Sequence, residues 1–165
     1  MIHLFLGPMY AGKTTRLMEL HALHGGLILD YSESTGQYMV NHNGEQRPCI
    51  RLSQLSDIVT LEHSIVYINE AQFFPDLLDF VKKWENKDIY LFGLDGDFQR
   101  NPMGQLLQVI PLCDTVEKLK GKCAKCEKPS VFSKRVTQEV QQILLDESAY
   151  IPLCRNCYLT YNVFL

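Results

Sequence analysis

Gly7-Pro8-Met9-Tyr10-Ala11-Gly12-Lys13-Thr14 matches G-x-x-x-x-G-K-[ST] at every fixed position. Ile2-His3-Leu4-Phe5-Leu6 in front of it reads as a short buried strand, and Thr15 to Leu23 behind it carries apolar residues at helical spacing. A strand, a glycine turn and a helix N-terminus in that order make an anion site. Glycines let successive backbone N–H groups converge on phosphate oxygens, and the helix dipole adds partial positive charge. In such a loop Lys13 reaches the outer phosphates and the Thr14 hydroxyl is a ligand for Mg²⁺. An ordinary strand-to-helix turn that happens to hold Gly, Lys and Thr is the competing reading. Both flanks favour the phosphate loop.

Outward from this stretch, the chain alternates strands with helices. Two glycines, Gly25 and Gly26, stop the first helix, and Leu27 to Asp30 reads as a second strand. Tyr31 to Arg47 is polar with no clear period and reads as a loop. Gln54 to Asp57 suggests a short helix. Ile65 to Ile68 has the continuous apolar character of a strand buried on both faces, and it runs into Asn69-Glu70-Ala71-Gln72-Phe73-Phe74. Pro75 and Asp76 open a helix whose Leu77, Leu78, Phe80, Val81 and Trp84 share a face. Ile89 to Gly93 is a further buried strand, followed by the loop Leu94 to Arg100. Met103 to Val109 reads as a short helix broken at Ile110-Pro111. This alternation predicts an α/β fold: a mostly parallel sheet flanked by helices, of the P-loop NTPase type.

From Cys113 the texture changes: lysines and cysteines cluster, and Val131 to Ser133 and Gln141 to Leu145 look like short strands. We therefore expect a nucleotide-binding domain over 1–120 and a small zinc-ribbon lobe over 121–165. The lobe carries Cys123-Ala-Lys-Cys126 and Cys154-Arg-Asn-Cys157. Two C-x-x-C knuckles supply four thiolates for a closed tetrahedral zinc site, which stabilises a lobe too small for its own core. Free or redox-active pairs are the alternative. Cys49 and Cys113 have no such partners and read as plain thiols.

The 165-residue chain is 46% hydrophobic and 21% charged, ordinary for a globular protein with a real core. A formal net charge of -3 leaves no basic footprint, which argues against a nucleic-acid polymer as partner. No leader peptide precedes the first strand and no stretch approaches a membrane span, so a cytoplasmic protein without a membrane partner is expected. The six cysteines fit metal better than a secreted disulfide scaffold. A lone Glu70 at a strand end reads as a solvated or helix-capping carboxylate, but beyond a phosphate loop the leading expectation is a base that takes the proton from an acceptor hydroxyl as a phosphoryl group arrives.

Together these stretches resemble the type II (cytosolic) thymidine kinases, over essentially the whole chain. Residues 7–15 resemble the family's phosphate loop, and 69–74 its Asp-Glu-x-Gln-Phe-Phe. Residues 94–100 resemble its Leu-Asp-Gly-x-Phe-Gln-Arg, Ser133-Lys134-Arg135 its Thr-Lys-Arg, and 150–157 its Tyr-to-Cys-x-x-Cys ending. The resemblance implies transfer of the ATP γ-phosphate to the 5′-hydroxyl of thymidine, giving dTMP for DNA-precursor salvage. It makes Glu70 the catalytic base and assigns ATP and Mg²⁺ to Gly7, Pro8, Met9, Tyr10, Ala11, Gly12, Lys13, Thr14 and Thr15. Met9, Phe73, Leu94, Phe98, Ser133 and Tyr150 then surround the thymine ring, while Phe74 and Phe92 are expected to be core. Arg100 is expected to brace its loop or offset phosphate charge. A lasso loop, here about residues 142–150, closes over the nucleoside, and the assembly implied is a homotetramer.

Three positions depart from the family pattern. Asn69 replaces the acid before Glu70, Ser34-Thr35-Gly36 replaces an Asp-x-Arg after the second strand, and Leu145-Asp146 occupies a lasso turn that usually holds glycine. Asp97 stands where the family has a small or neutral residue, raising the question whether it compensates for Asn69. These departures feed two alternatives: a catalytically weak or inactive nucleotide-binding homologue with a regulatory role, and a pyrimidine deoxynucleoside kinase of shifted preference, since Ser133 lacks the methyl of the usual Thr. A zinc-ribbon nucleic-acid binder is opposed by the acidic balance.

Overall fold

The computed structural model of the chain describes residues 1–34 and 36–161. Among the described residues, twelve strands and three α-helices follow in order. They are β1 (Ile2–Leu6), α1 (Lys13–His24), β2 (Leu27–Tyr31), β3 (Tyr38–Val40), β4 (Gln46–Pro48), β5 (Ile50–Leu52), β6 (Ile65–Asn69), α2 (Leu77–Lys83), β7 (Asp88–Gly93), β8 (Thr115–Lys118), β9 (Gly121–Lys122), β10 (Pro129–Ser130), β11 (Phe132–Arg135), β12 (Tyr150–Leu153) and α3 (Arg155–Thr160). Six of the strands form one sheet in the order β5-β2-β6-β7-β1-β8, and every pairing in it is parallel. Parallel strands need covered faces, and both faces are covered. Leu4, Leu29, Ile68 and Leu91 pack with Phe74, Leu77 and Phe80 on one side; Phe5, Ile28, Tyr67 and Phe92 pack with Leu17 and Met18 of α1 on the other.

Local chemistry accounts for the element ends. Gly25 at φ 66° closes α1 by donating its N–H to the His21 carbonyl. Asp76 precedes α2 and its carboxylate accepts the N–H groups of Leu55 and Ser56, tying the 3₁₀ turn Leu55–Asp57 to the helix start. That turn sits where the sequence suggests a short helix.

Three local expectations are corrected, and one strand is added where none was assigned. The polar stretch 31–47 is not wholly loop: β3 and β4 form an antiparallel hairpin closed at Asn41 and Gly44. β8, in the region where the texture changes, is a sheet strand paired to β1; its side chains are exposed, so it carries no apolar signal. The expected helix over 103–109 is a 3₁₀ helix, Leu106–Leu112, which contains Pro111 instead of ending before it. Proline is tolerated there because its missing N–H breaks no α-helical ladder. Finally, 141–145 is not a strand. Its carbonyls accept from side chains rather than from another strand, those of Gln141 and Gln142 from Arg135 and that of Leu144 from Tyr150.

All loops that follow β1, β2, β6 and β7 leave from the carboxyl edge of the sheet, the edge where open parallel sheets bind ligands. Beyond β8, the two-stranded pairs β9–β10 and β11–β12 and helix α3 gather around a very small apolar cluster of Cys123, Leu153, Cys154 and Tyr158.

Candidate active site and metal centre

One cavity of about 880 Å³ opens at the carboxyl edge. Its floor is the loop between β1 and α1. Gly12 adopts φ 77° and Tyr10 φ 61°, and this pair of left-handed residues turns the chain so that α1 starts at Lys13. Tyr10, Ala11, Gly12, Lys13, Thr14 and Thr15 line the cavity. Gly7 and Pro8 contribute their carbonyls, which accept from the Lys13 ammonium at 3.2 and 2.6 Å. Burial pushes the Lys13 pKa down, partly offset by the nearby carboxylates of Glu70 and Asp95. A buried ammonium held by two carbonyls is a preorganised cation for a phosphate chain.

Glu70 stands at the end of β6 in the left-handed region, φ 51° and ψ 41°. For a non-glycine residue this conformation costs of order 1–3 kcal/mol and is typical of functional sites. Its Oε2 accepts from Gln72 Nε2 at 2.7 Å, and Gln72 Oε1 in turn accepts the Leu94 N–H at 3.0 Å. Gln72 therefore fixes both the carboxylate and one wall of the cavity. The quoted motif contains Gln72, but only the packing reveals this double role.

Met9, Phe73, Leu94, Phe98, Ser133 and Tyr150 come from five separated parts of the chain, and all six line the same cavity. Ser133 Oγ accepts the Met9 N–H at 2.9 Å, joining β11 to the phosphate loop. Tyr150 donates to the Leu144 carbonyl at 3.2 Å. Phe74 and Phe92 are fully buried core, as expected. Arg100 braces its loop: its guanidinium lies 4.9 Å from the Tyr158 ring centre and 5.5 Å from that of Phe132, away from the cavity.

The departures acquire local explanations. Asn69 Nδ2 donates to Asp30 Oδ1 at 2.8 Å, so a buried carboxylate from β2 stands beside the uncharged residue. Arg51 of β5 pairs with the other oxygen of Asp30 at 3.2 Å, and it also lines the cavity. A cation is thus present although Ser34-Thr35-Gly36 carries none; Thr35 itself lies outside the described residues. At the lasso turn Asp146 has an ordinary φ of -83°, and its Oδ1 accepts from the N–H and hydroxyl of Ser148 at 3.0 and 2.6 Å. This Asx-type turn needs no glycine. Asp97, 7% exposed, accepts from Gln99 and Asn101 N–H on one oxygen and from Gln142 Nε2 on the other. Burial pushes its pKa up, but these hydrogen bonds outweigh burial and hold it below the usual carboxylate value.

The Sγ atoms of Cys123, Cys126, Cys154 and Cys157 lie within 4.8 Å of one another. The Cys126–Cys154 pair is 3.6 Å apart, far too long for a disulfide and near the roughly 3.8 Å edge of a tetrahedron with 2.3 Å Zn–S bonds. This donor set fits structural zinc. Cys49 and Cys113 lie elsewhere, and burial pushes each thiol up to about 11, the inert protonated form.

A family model described as thymidine kinase matches residues 29–158. The chain belongs to the thymidine kinase family. Its relatives include "Thymidine kinase" from Oryza sativa subsp. japonica, 37% identical over 99% of this chain and 68% of that protein. The "Thymidine kinase" of Yaba monkey tumor virus (strain VR587) is 35% identical over 98% of this chain and 96% of its own length. That of Vaccinia virus (strain Western Reserve) is 33% identical over 96% of both. Membership of the thymidine kinase family implies ATP use. Among the described residues no helix is long and apolar enough to cross a membrane.

Sequence reasoning missed three contributors to the site of this thymidine kinase family member: Asp30, Arg51 and Arg135. Arg135 is 3% exposed, and its guanidinium lies 3.9 Å from the Phe98 ring centre while donating to Tyr150 Oη. The quoted Ser-Lys-Arg motif was the available signal for it. Asp30 and Arg51 had none, because their relation to Asn69 exists only across paired strands.

Proposed function

We propose that the protein transfers the γ-phosphate of ATP to the 5′-hydroxyl of thymidine, with Glu70 as the general base. The observation that carries this is a half-buried carboxylate, strained at its own backbone and held by Gln72, in the same cavity as the phosphate-loop ammonium of Lys13. Family membership supports the substrates. The phosphates lie along residues 7–15, with Lys13 neutralising charge that grows on the transferring group. The thymine ring lies among Met9, Phe73, Leu94, Phe98, Ser133 and Tyr150, where aromatic and aliphatic faces suit a flat base. Glu70 Oε takes the 5′-hydroxyl proton as the oxygen attacks phosphorus and the β–γ bridging bond breaks to release ADP.

The residues also fit magnesium. Thr14 lines the cavity, Asn69 keeps an amide oxygen as acceptor, and Asp30 restores a carboxylate beside it. Bound magnesium would neutralise phosphate charge; Thr14 is the direct ligand we assign, with Asp30 orienting Asn69. Zinc is assigned to Cys123, Cys126, Cys154 and Cys157, organising the described residues from 121 onward as a lobe distinct from 1–120. Cytoplasmic residence and a homotetramer complete the reading.

Incubation with ATP, Mg²⁺ and each deoxynucleoside in turn tests it. Thymidine monophosphate is expected as the main product, and Glu70→Gln is expected to lower kcat by about 10²–10⁴-fold with little change in ATP affinity. No monophosphate from any nucleoside would sink the activity; undiminished turnover by Glu70→Gln would remove the base.

A further inference from the structure

Asp97 and Gln142 meet across the cavity from two parts of the chain that share no sheet. Asp97 lies in the loop after β7, and Gln142 lies in the irregular segment between β11 and β12. We infer that the Asp97–Gln142 pair is a latch that positions the nucleoside-binding walls, with Asp97 as a positioning residue. The inference rests on the nucleoside site proposed above.

The network around the pair is closed. Asp97 Oδ1 accepts the N–H groups of Gln99 and Asn101, both at 2.8 Å, while its own N–H donates to the Asn101 carbonyl at 2.8 Å. These bonds set the turn that presents Leu94 and Phe98 to the cavity. Oδ2 is then left for the Gln142 amide, 2.9 Å away. On its far side the Gln142 carbonyl accepts from Arg135 Nη2 at 3.2 Å. Arg135 also donates from Nη1 to the carbonyls of Glu139 and Gln141, and from Nη2 to Tyr150 Oη. Its guanidinium covers the Phe98 ring. One buried cation therefore holds the backbone of residues 139–142 and one buried carboxylate holds the Gln142 side chain. The segment immediately beyond, Ile143 to Leu145, forms a wall of the cavity.

The pair matters because the segment has little apolar packing to hold it. Val140 and Leu145 are exposed at 85% and 73%, so residues 139–145 bury little apolar surface. With weak packing, side-chain hydrogen bonds decide whether the segment is ordered. A latch of this kind also gives Asp97 a task other than magnesium. Both of its oxygens are committed to N–H donors of the protein.

The test uses the full-length zinc-loaded protein with Gln142→Ala, Asp97→Ala, Gln142→Glu, and the exchange Asp97→Asn combined with Gln142→Glu. Gln142 is exposed, so its truncation leaves the fold intact. Gln142→Ala is expected to raise the thymidine KM about tenfold, the worth of one hydrogen bond to a charged group, and Asp97→Ala by at least as much because the Gln99 and Asn101 bonds go with it, while the ATP KM stays within about twofold in both. Hydrogen exchange of residues 136–149 is expected to speed up about tenfold in both. Gln142→Glu sets two carboxylates against each other and is expected to be worse than Gln142→Ala. In the exchanged pair the new amide keeps its oxygen on the Gln99 and Asn101 N–H groups and turns its NH₂ to the new carboxylate, so both readouts should return towards wild type.

Unchanged exchange in residues 136–149, or an exchanged pair no better than Gln142→Glu, would overturn the latch. Equal rises in the thymidine and ATP KM would overturn its positioning role. Should the wild-type protein bind no thymidine while protection of the segment still depends on Asp97 and Gln142, the latch stands and the nucleoside reading falls.

Discussion

Glu70 and Lys13 show how the surroundings constrain single residues at this site. Glu70 sits in a left-handed conformation that a glycine would occupy at lower cost. The strain persists because β6 and Gln72 over-determine its position on either side. Lys13 is buried, and desolvation lowers its pKa against the pull of Glu70 and Asp95. In the proposed reading the charged form grips phosphate, so grip is full below the depressed pKa and is lost as pH rises through it. The ATP KM in the pH range 8–11 is therefore expected to climb earlier than titration of an ordinary lysine, with a pKa of about 10.4, would allow. A Lys13→Arg variant, whose charge does not titrate there, should flatten that rise in a pH series of initial rates. A flat wild-type profile would refute the assignment. At this scale the sequence was informative about identity: Lys13, Thr14 and Glu70 are all in recognisable motifs. It was silent about partners such as Gln72 and Asp30.

Among the elements, β9 to α3 depend most on something other than apolar burial. Their cluster holds four buried residues, two of them cysteines. The knuckle at Cys123 is turned by the Cys123 N–H to Lys128 carbonyl bond and by Glu127 at φ 62°, and Cys154 caps α3 by accepting the Cys157 N–H. Both turns aim sulfur at a common centre. Chelation of zinc is expected to unfold residues 121–161 while the six-stranded sheet survives, since structural zinc carries about 10–16 kcal/mol of folding free energy in small domains. Circular dichroism with metal analysis would check this, with roughly one zinc per chain. Intact near-UV dichroism after complete zinc loss would refute it. The elements that sequence reasoning misjudged share a cause. β8 and the β3–β4 hairpin are exposed or short, so burial leaves no periodic signature on them. Residues 141–145 have strand-like composition, yet Arg135 and Tyr150 take the carbonyls of Gln141, Gln142 and Leu144.

Across the whole molecule, the cysteine-bearing part closes the back of the phosphate loop. A Cβ on Gly121 would run into the Tyr10 carbonyl and the Ser130 hydroxyl, and the Tyr10 hydroxyl donates to the Glu147 carbonyl at 2.8 Å. Gly121→Val is expected to displace the Tyr10 peptide at a cost of about 1–3 kcal/mol. The ATP KM should rise severalfold while zinc content is unchanged; kinetics and metal analysis on the same sample would decide, and an unaltered ATP KM would sink the coupling. The alternating α/β pattern, the phosphate loop, the two cysteine knuckles and Glu70 were legible in the chain, because each depends on residue type at short spacing. What only the tertiary structure decided lies at long separations: Asp30 and Arg51 beside Asn69, Arg135 under the 139–142 carbonyls, and Asp97 latched to Gln142. These contacts join residues on different strands and loops. They follow from sheet order and register, which local periodicity does not encode.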